Sequence, residues 1–78
     1  MREKQMQCVV TFKTTTQAMA FEEISKKAAL TGRLIPLPRE IAAGCGLSWK
    51  DNLASRTVIE ELISKYNLKY DEIYEIMI

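Results

Sequence analysis

An α+β fold with its elements in the order β-α-β-β-α-β is predicted from this 78-residue sequence by three observations. Two stretches, residues 14–32 and 51–67, carry apolar side chains at helical spacing. The segments flanking them are short and alternate apolar with polar residues at a period of two, the pattern of half-buried strands. Both prolines and two of the three glycines gather in one long connection, residues 36–46, which leaves the rest of the chain to regular structure.

Residues 6–13 set Met6, Cys8, Val10 and Phe12 against Gln7, Val9, Thr11 and Lys13, so a first strand turns the former set towards a core. Thr14-Thr15-Thr16-Gln17 has the spacing of a capping box, in which the Thr14 hydroxyl accepts from a free amide and Gln17 reaches back. A helix starts there. Its inner stripe is Ala18, Phe21, Ile24 or Ser25, and Ala28, while Glu22 with Lys26 and Glu23 with Lys27 form i, i+4 pairs on the wet side. Gly32 is expected to end the helix in a left-handed conformation. Arg33-Leu34-Ile35 makes a short strand stopped by Pro36, because proline cannot donate to a ladder. Residues 46–50 form a third strand with Cys45, Leu47 and Trp49 on one face. Asp51-Asn52 signals the second helix, whose stripe of Leu53, Val58, Ile59, Leu62, Ile63 and Tyr66 runs to a left-handed cap at Asn67. The tail closes with a fourth strand in which Tyr74, Ile76 and Ile78 share a face, leaving Val9, Thr11, Ile73 and Met77 as outward positions.

Short connections and right-handed crossovers fold this order as a four-stranded antiparallel sheet with two helices on one face, the ferredoxin-like arrangement. One domain spanning residues 1–78 is expected of so short a chain. With 47% apolar and 27% charged residues it is a folded globule rather than a disordered chain. Eleven Lys and Arg against ten Asp and Glu leave a net charge of +1, which provides no footprint for nucleic acid or for an anionic membrane. No histidine is present, which removes the imidazole base, the His-paired nucleophile and the His metal ligand. Two cysteines separated by 36 residues match no zinc spacing, so no metal and no cofactor is expected. The charged start Met1-Arg2-Glu3-Lys4-Gln5 has no signal h-region and no apolar span follows it, so the chain reads as cytoplasmic with reduced thiols.

The chemistry concentrates at Gly44-Cys45-Gly46, a thiol between two glycines just before a strand. Glycine on each side permits positive φ and clears bulk from around the sulfur. The predicted topology brings Cys45 towards the start of the first helix, where unpaired amides at residues 14–17 and the positive end of the dipole favour a thiolate. Lys13 and Arg39 are the nearest basic candidates, and Arg39 could hold an anionic group beside the thiol. The structural alternative stands beside this one: a cysteine between glycines is also a small hydrophobe chosen for fit, and Arg39 a solvated loop residue. Cys8, on the apolar face with Val10 and Phe12, reads as core, too far along the sheet from Cys45 for a disulfide. Glu60, Glu61, Asp71 and Glu72 read as a solvated face, and Trp49 and Phe21 as core.

Thr11-Phe12-Lys13-Thr14, the amphipathic helix, Leu34-Ile35-Pro36-Leu37-Pro38-Arg39-Glu40-Ile41 and Gly44-Cys45-Gly46-Leu47 together resemble the selenium/sulfur (Se/S) carrier protein-like family, long known as a domain of unknown function. The resemblance covers most of the chain. It implies a cysteine that carries sulfur or selenium as a persulfide or its selenium counterpart, a role that falls on Cys45 within a turn of Pro36, Pro38, Arg39, Gly44 and Gly46. It further implies donor and acceptor proteins as partners and a carrier rather than an enzyme. Better-known small sulfur carriers place their cysteine in a Cys-Pro-x-Pro motif, whereas here the prolines precede it. Two other classes stay open on the residues: an interaction or regulatory domain, with a homodimer formed through the sheet and Cys45 structural, and a redox sensor acting through a Cys45 sulfenate.

Overall fold

The computed structural model describes residues 4–41 and 44–78; the charged start at residues 1–3 and Ala42-Ala43 of the long connection lie outside the described residues. The elements are β1 (Met6–Thr11), α1 (Thr15–Lys27), β2 (Arg33–Pro36), β3 (Leu47–Asn52), a 3-10 turn (Leu53–Ser55), α2 (Arg56–Tyr66) and β4 (Ile73–Met77). The strands pair antiparallel in the order β2-β3-β1-β4, and the α+β architecture has the ferredoxin-like ordering. Among the described residues, no helix is long and apolar enough to cross a membrane.

The capping box forms as the spacing predicts. Thr14 is extended, its Oγ1 accepts from the Gln17 amide at 3.1 Å, and Gln17 Oε1 accepts from the Lys13 amide at 3.0 Å. Lys26 and Lys27 meet Glu22 and Glu23 at 3.6 and 3.4 Å, but such exposed pairs contribute only a few tenths of a kcal/mol.

The end of α1 differs from expectation. It stops at Lys27, and the left-handed residue is Ala29 (φ 60°), not Gly32. The Ala29 amide donates to the Lys26 carbonyl and the Leu30 amide to the Ser25 carbonyl, a Schellman closure that turns Leu30 against the core. Packing of that leucine overrides the cost of a left-handed alanine. Gly32 is required for another reason: a Cβ there would run into the Lys50 carbonyl oxygen and lie 2.6 Å from Trp49 Nε1. α2 closes in the same way, with Asn67 left-handed (φ 51°) and Leu68 turned inward.

The start of α2 differs too. Asp51 and Asn52 stay in β3, paired with Cys8 and Gln7, and the α-helix begins at Arg56. The Asp51 carboxylate is engaged elsewhere. It is 3% exposed and accepts from Trp49 Nε1 (3.2 Å), Thr31 Oγ1 (2.8 Å) and the Asn52 amide (2.8 Å), which ties the turn after α1 to β3.

Cys8, Val10, Phe12 and Trp49 project from the sheet onto Ala18 and Phe21 of α1 and Ile59 of α2, so both helices cover one face. Phe21 sits between Phe12 and Trp49, with ring centroids 5.3 and 5.5 Å apart in tilted and edge-on arrangements. Directly opposed residues share a face, and the register pairs Val10 with Ile73 and Met6 with Met77. Ile73 and Met77 therefore belong to the helical side, contrary to expectation, and Tyr74 and Ile76 lie on the other face with Val9 and Gln7.

That second face is not open. Val9, Thr11 and Ser48 are fully buried although no helix covers them, and Ile41, outside the helix-side cluster, is 7% exposed. The connection after β2 folds back across the sheet, because Pro38, Arg39 and Glu40 share a cavity with Ile35, Lys50 and Ile78. The tail is tied down beside it, where Thr11 exchanges backbone bonds with Asp71 and Glu72 and its hydroxyl accepts from the Glu72 amide at 3.1 Å.

Candidate functional site

The turn before β3 is built on backbone that only glycine adopts freely. Gly44 and Gly46 have φ of 49° and 82°, as the Gly-Cys-Gly spacing requires. At Gly44 a Cβ would overlap the Phe12 carbonyl oxygen, whereas at Gly46 it would meet nothing within 4 Å. The Cys45 amide donates to that same Phe12 carbonyl at 3.3 Å, and the Leu37 amide donates to the Gly46 carbonyl at 2.9 Å. The backbone of Cys45 is thus held beside Phe12 at the end of β1, two residues before the Thr14 cap of α1.

The side chain of Cys45 is half-buried and packs on the rim of the core. Its Sγ lies 4.0 Å from the Leu47 carbonyl oxygen, a weak thiol-to-carbonyl contact. At the helix tip the capping box engages the Gln17 amide, and Gln17 in turn accepts from the Lys13 amide just before the cap. Lys13 and Thr14 are exposed at this end.

The two thiols are free and differ in environment. Cys8 has no exposure, and burial pushes its thiol up from 9.0 to about 11; the Arg56 guanidinium opposes the rise, while the carboxylates of Glu75, Asp51 and Glu60 add to it. Arg56 itself is bound to Glu75 at 2.7 Å and to Glu60 at 3.5 Å. At pH 7.5 iodoacetamide is therefore expected to add one group to the native protein, on Cys45, and a second, on Cys8, only in denaturant; peptide mass mapping of both reactions checks this. A raised thiol keeps its proton in the folded state, so its contribution to stability is complete below about pH 9 and lost as pH rises through about 11. The fall in Tm over that interval is expected to be smaller in Cys8→Val than in the native chain.

Pro36, Pro38 and Arg39 line a cavity of about 410 Å³ that opens widely to solvent on the non-helical side of the sheet, and Cys45 is not among its described lining residues. The sequence reading did not single out Lys4, Lys50, Ile35 and Ile78, which line the same cavity. Strand alternation puts Ile35 and Lys50 on one face and could have grouped them; the fold-back of the connection has no such periodic signal. Asp51 was also missed as a buried acceptor, although Trp49-x-Asp51 places it on the core face of a strand. Among the described residues, no group of three or more His, Cys, Asp or Glu could hold a metal ion.

The family model described as "Putative Se/S carrier protein-like" matches residues 7–75, nearly the whole chain. The chain belongs to this family. No curated protein and no solved structure matches it. For a member of the Se/S carrier-like family the matched span takes in the capping box, the proline connection and Gly44-Cys45-Gly46.

Proposed function

We propose that the chain carries chalcogen on Cys45, accepting sulfane sulfur or selenium from a donor protein and passing it to an acceptor. The observation that carries this reading is the contrast between the two thiols. Cys8 is sealed, whereas Cys45 is half-buried in a turn whose Gly46 side opens onto free space. Membership of the Se/S carrier-like family supports the same residue type.

In the transfer, the Cys45 thiolate attacks the outer sulfur of a donor persulfide. The donor S–S bond breaks, the donor thiolate leaves, and a Cys45 persulfide forms with no net oxidation. Attack by an acceptor thiolate on the outer sulfur repeats the exchange and regenerates Cys45. Lys13, Thr14, Gly44 and Gly46 shape the thiol's surroundings, and Arg39, Pro36 and Pro38 belong to the adjoining connection. A reducing cytoplasm, where free thiols persist, suits this chemistry.

Incubation with a cysteine desulfurase and cysteine is expected to add about 32 Da, removable by dithiothreitol. The adduct should persist in Cys8→Val and be absent in Cys45→Ser; labelling of Cys45→Ser would overturn the assignment. A second reading has a specific observation behind it: Cys45 packs on the core rim and its thiol faces the Leu47 carbonyl, as a structural cysteine would. On that reading the chain is an interaction module, self-associating through the sheet, and no adduct forms while partner capture survives Cys45→Ser.

A further inference from the structure

We infer that two copies of this chain join through β4, edge to edge and antiparallel, in the register that places Ile76 on the two-fold axis. β4 ends the sheet order β2-β3-β1-β4, and among the described residues β1 is its only strand neighbour. This pairing holds whether or not Cys45 carries chalcogen.

The two edges of the sheet are not alike. β2 has four residues, opens on the exposed Arg33 and ends in Pro36, which has no amide to offer another strand. β4 contains no proline, and its register with β1 runs one-to-one from Ile73 to Met77 without a bulge. Five of the six residues 73–78 are apolar, and the one charge, Glu75, is already bound to Arg56 of α2 at 2.7 Å. β4 therefore lacks the devices that keep an edge from pairing.

The ladder fixes which backbone groups face outward. Gln5 and Ile78 exchange both backbone bonds at 3.1 Å, and the Thr11 amide donates to the Glu72 carbonyl at 2.8 Å. By alternation Tyr74 and Ile76 also turn their amides and carbonyls to β1, so Ile73, Glu75 and Met77 present theirs to the free side.

The side chains select a second copy as the strand that takes them. Opposed residues of an antiparallel pair share a face, so two-fold pairing of β4 with itself must place a residue on the axis. With Ile76 there, Tyr74 meets Ile78 of the second copy and Ile76 meets its own counterpart on the non-helical face, while Glu75 meets Met77 on the other. Moving the axis to Glu75 opposes two carboxylates, and moving it to Tyr74 sets Glu72 against Ile76. A single favoured register consumes the edge in a closed dimer, and Pro36 leaves the other edge unfit to extend it.

Sedimentation equilibrium of the full chain from about 1 to about 200 µM is expected to show a reversible dimer with a Kd on the order of 10 µM. Met77→Pro deletes an outward amide that β1 does not use, and should raise Kd at least about tenfold with an unchanged circular dichroism spectrum. In a Cys8→Val, Cys45→Ser background, Ile76→Cys should cross-link under oxidised glutathione, because pairs without backbone bonds bring Cα atoms to about 4.5 Å, within disulfide reach. Tyr74→Cys and Glu75→Cys should not. Cys45→Ser alone should dimerise as the native chain does, which keeps this result separate from the desulfurase adduct. Three results would overturn the inference: a monomer throughout the range, a folded Met77→Pro that dimerises as before, or cross-linking at Tyr74→Cys or Glu75→Cys in place of Ile76→Cys. The second would move association to the apolar groove between the helices, at Ile24, Leu62 and Tyr66. Should circular dichroism show Met77→Pro unfolded, the cross-linking pattern alone decides.

Discussion

Asp51→Ala is expected to destabilise the protein by about 3 kcal/mol, the largest effect of any polar substitution in the sheet. The carboxylate is 3% exposed and serves three donors, the indole of Trp49, the hydroxyl of Thr31 and the amide of Asn52. Each bond to a charged acceptor is worth roughly 1.5–3 kcal/mol, and truncation strands the buried Trp49 indole without a partner, whereas the exposed Thr31 and Asn52 can turn to water. The saving from no longer burying a charge offsets part of the sum, which is why the expected total is below three full bonds. Against a whole-domain stability of about 4–12 kcal/mol this is a large fraction. At roughly 4–8 °C per kcal/mol for a domain of this size, Tm should fall by about 12–24 °C. Thermal unfolding of the variant measures it. Trp49→Phe supplies the control, because the coupling between the two sites in a double-mutant cycle should approach about 1 kcal/mol. A loss below about 1 kcal/mol for Asp51→Ala would mean that the carboxylate does not hold the Thr31 turn to β3.

Gly44→Ala is expected to cost about 3 kcal/mol and Gly46→Ala only about 1 kcal/mol, although both residues have positive φ. The left-handed backbone penalises any L residue by roughly 1–2 kcal/mol, and that component is common to both. What separates them is steric. A methyl group at Gly44 enters the Phe12 carbonyl, a backbone atom at the end of a central strand, whereas the methyl at Gly46 enters open space. The Gly44 variant must therefore push the turn off β1 and break the Cys45 amide bond to Phe12. Urea unfolding of the two variants reads the difference. Iodoacetamide should also reach Cys45 faster in Gly44→Ala, since the turn that half-buries the thiol has come away. Equal stabilities would show that the close approach to Phe12 is not what holds this turn.

Those two substitutions also mark where the sequence could and could not be read. Local signals came through where the partner is within a few residues. The capping box at Thr14 and Gln17, the Glu-Lys pairs of α1 and the left-handed Asn67 are set by contacts three to five positions apart, and the residues alone disclose them. Signals failed where a distant partner decides. Gly32 looked like a helix cap but is a clearance under β3, and Asp51 looked like a helix start but is an acceptor for Trp49. Ile73 and Met77 read as outward yet face the helices, because period two yields two sets of side chains without saying which set the neighbouring strand turns inward.

The order of elements, the antiparallel ferredoxin-like arrangement and the Gly-Cys-Gly turn before β3 were all present in the chain as patterns of apolar spacing and backbone-permissive residues. Those patterns record what each segment needs from its own backbone. Only the tertiary structure decided that the proline connection folds over the non-helical face, that Arg39 joins Lys4 and Lys50 there, and that the thiol is half-buried against the core rim. A loop without periodicity is positioned by the surface it covers, and that surface exists only once four strands from separate parts of the chain have come together.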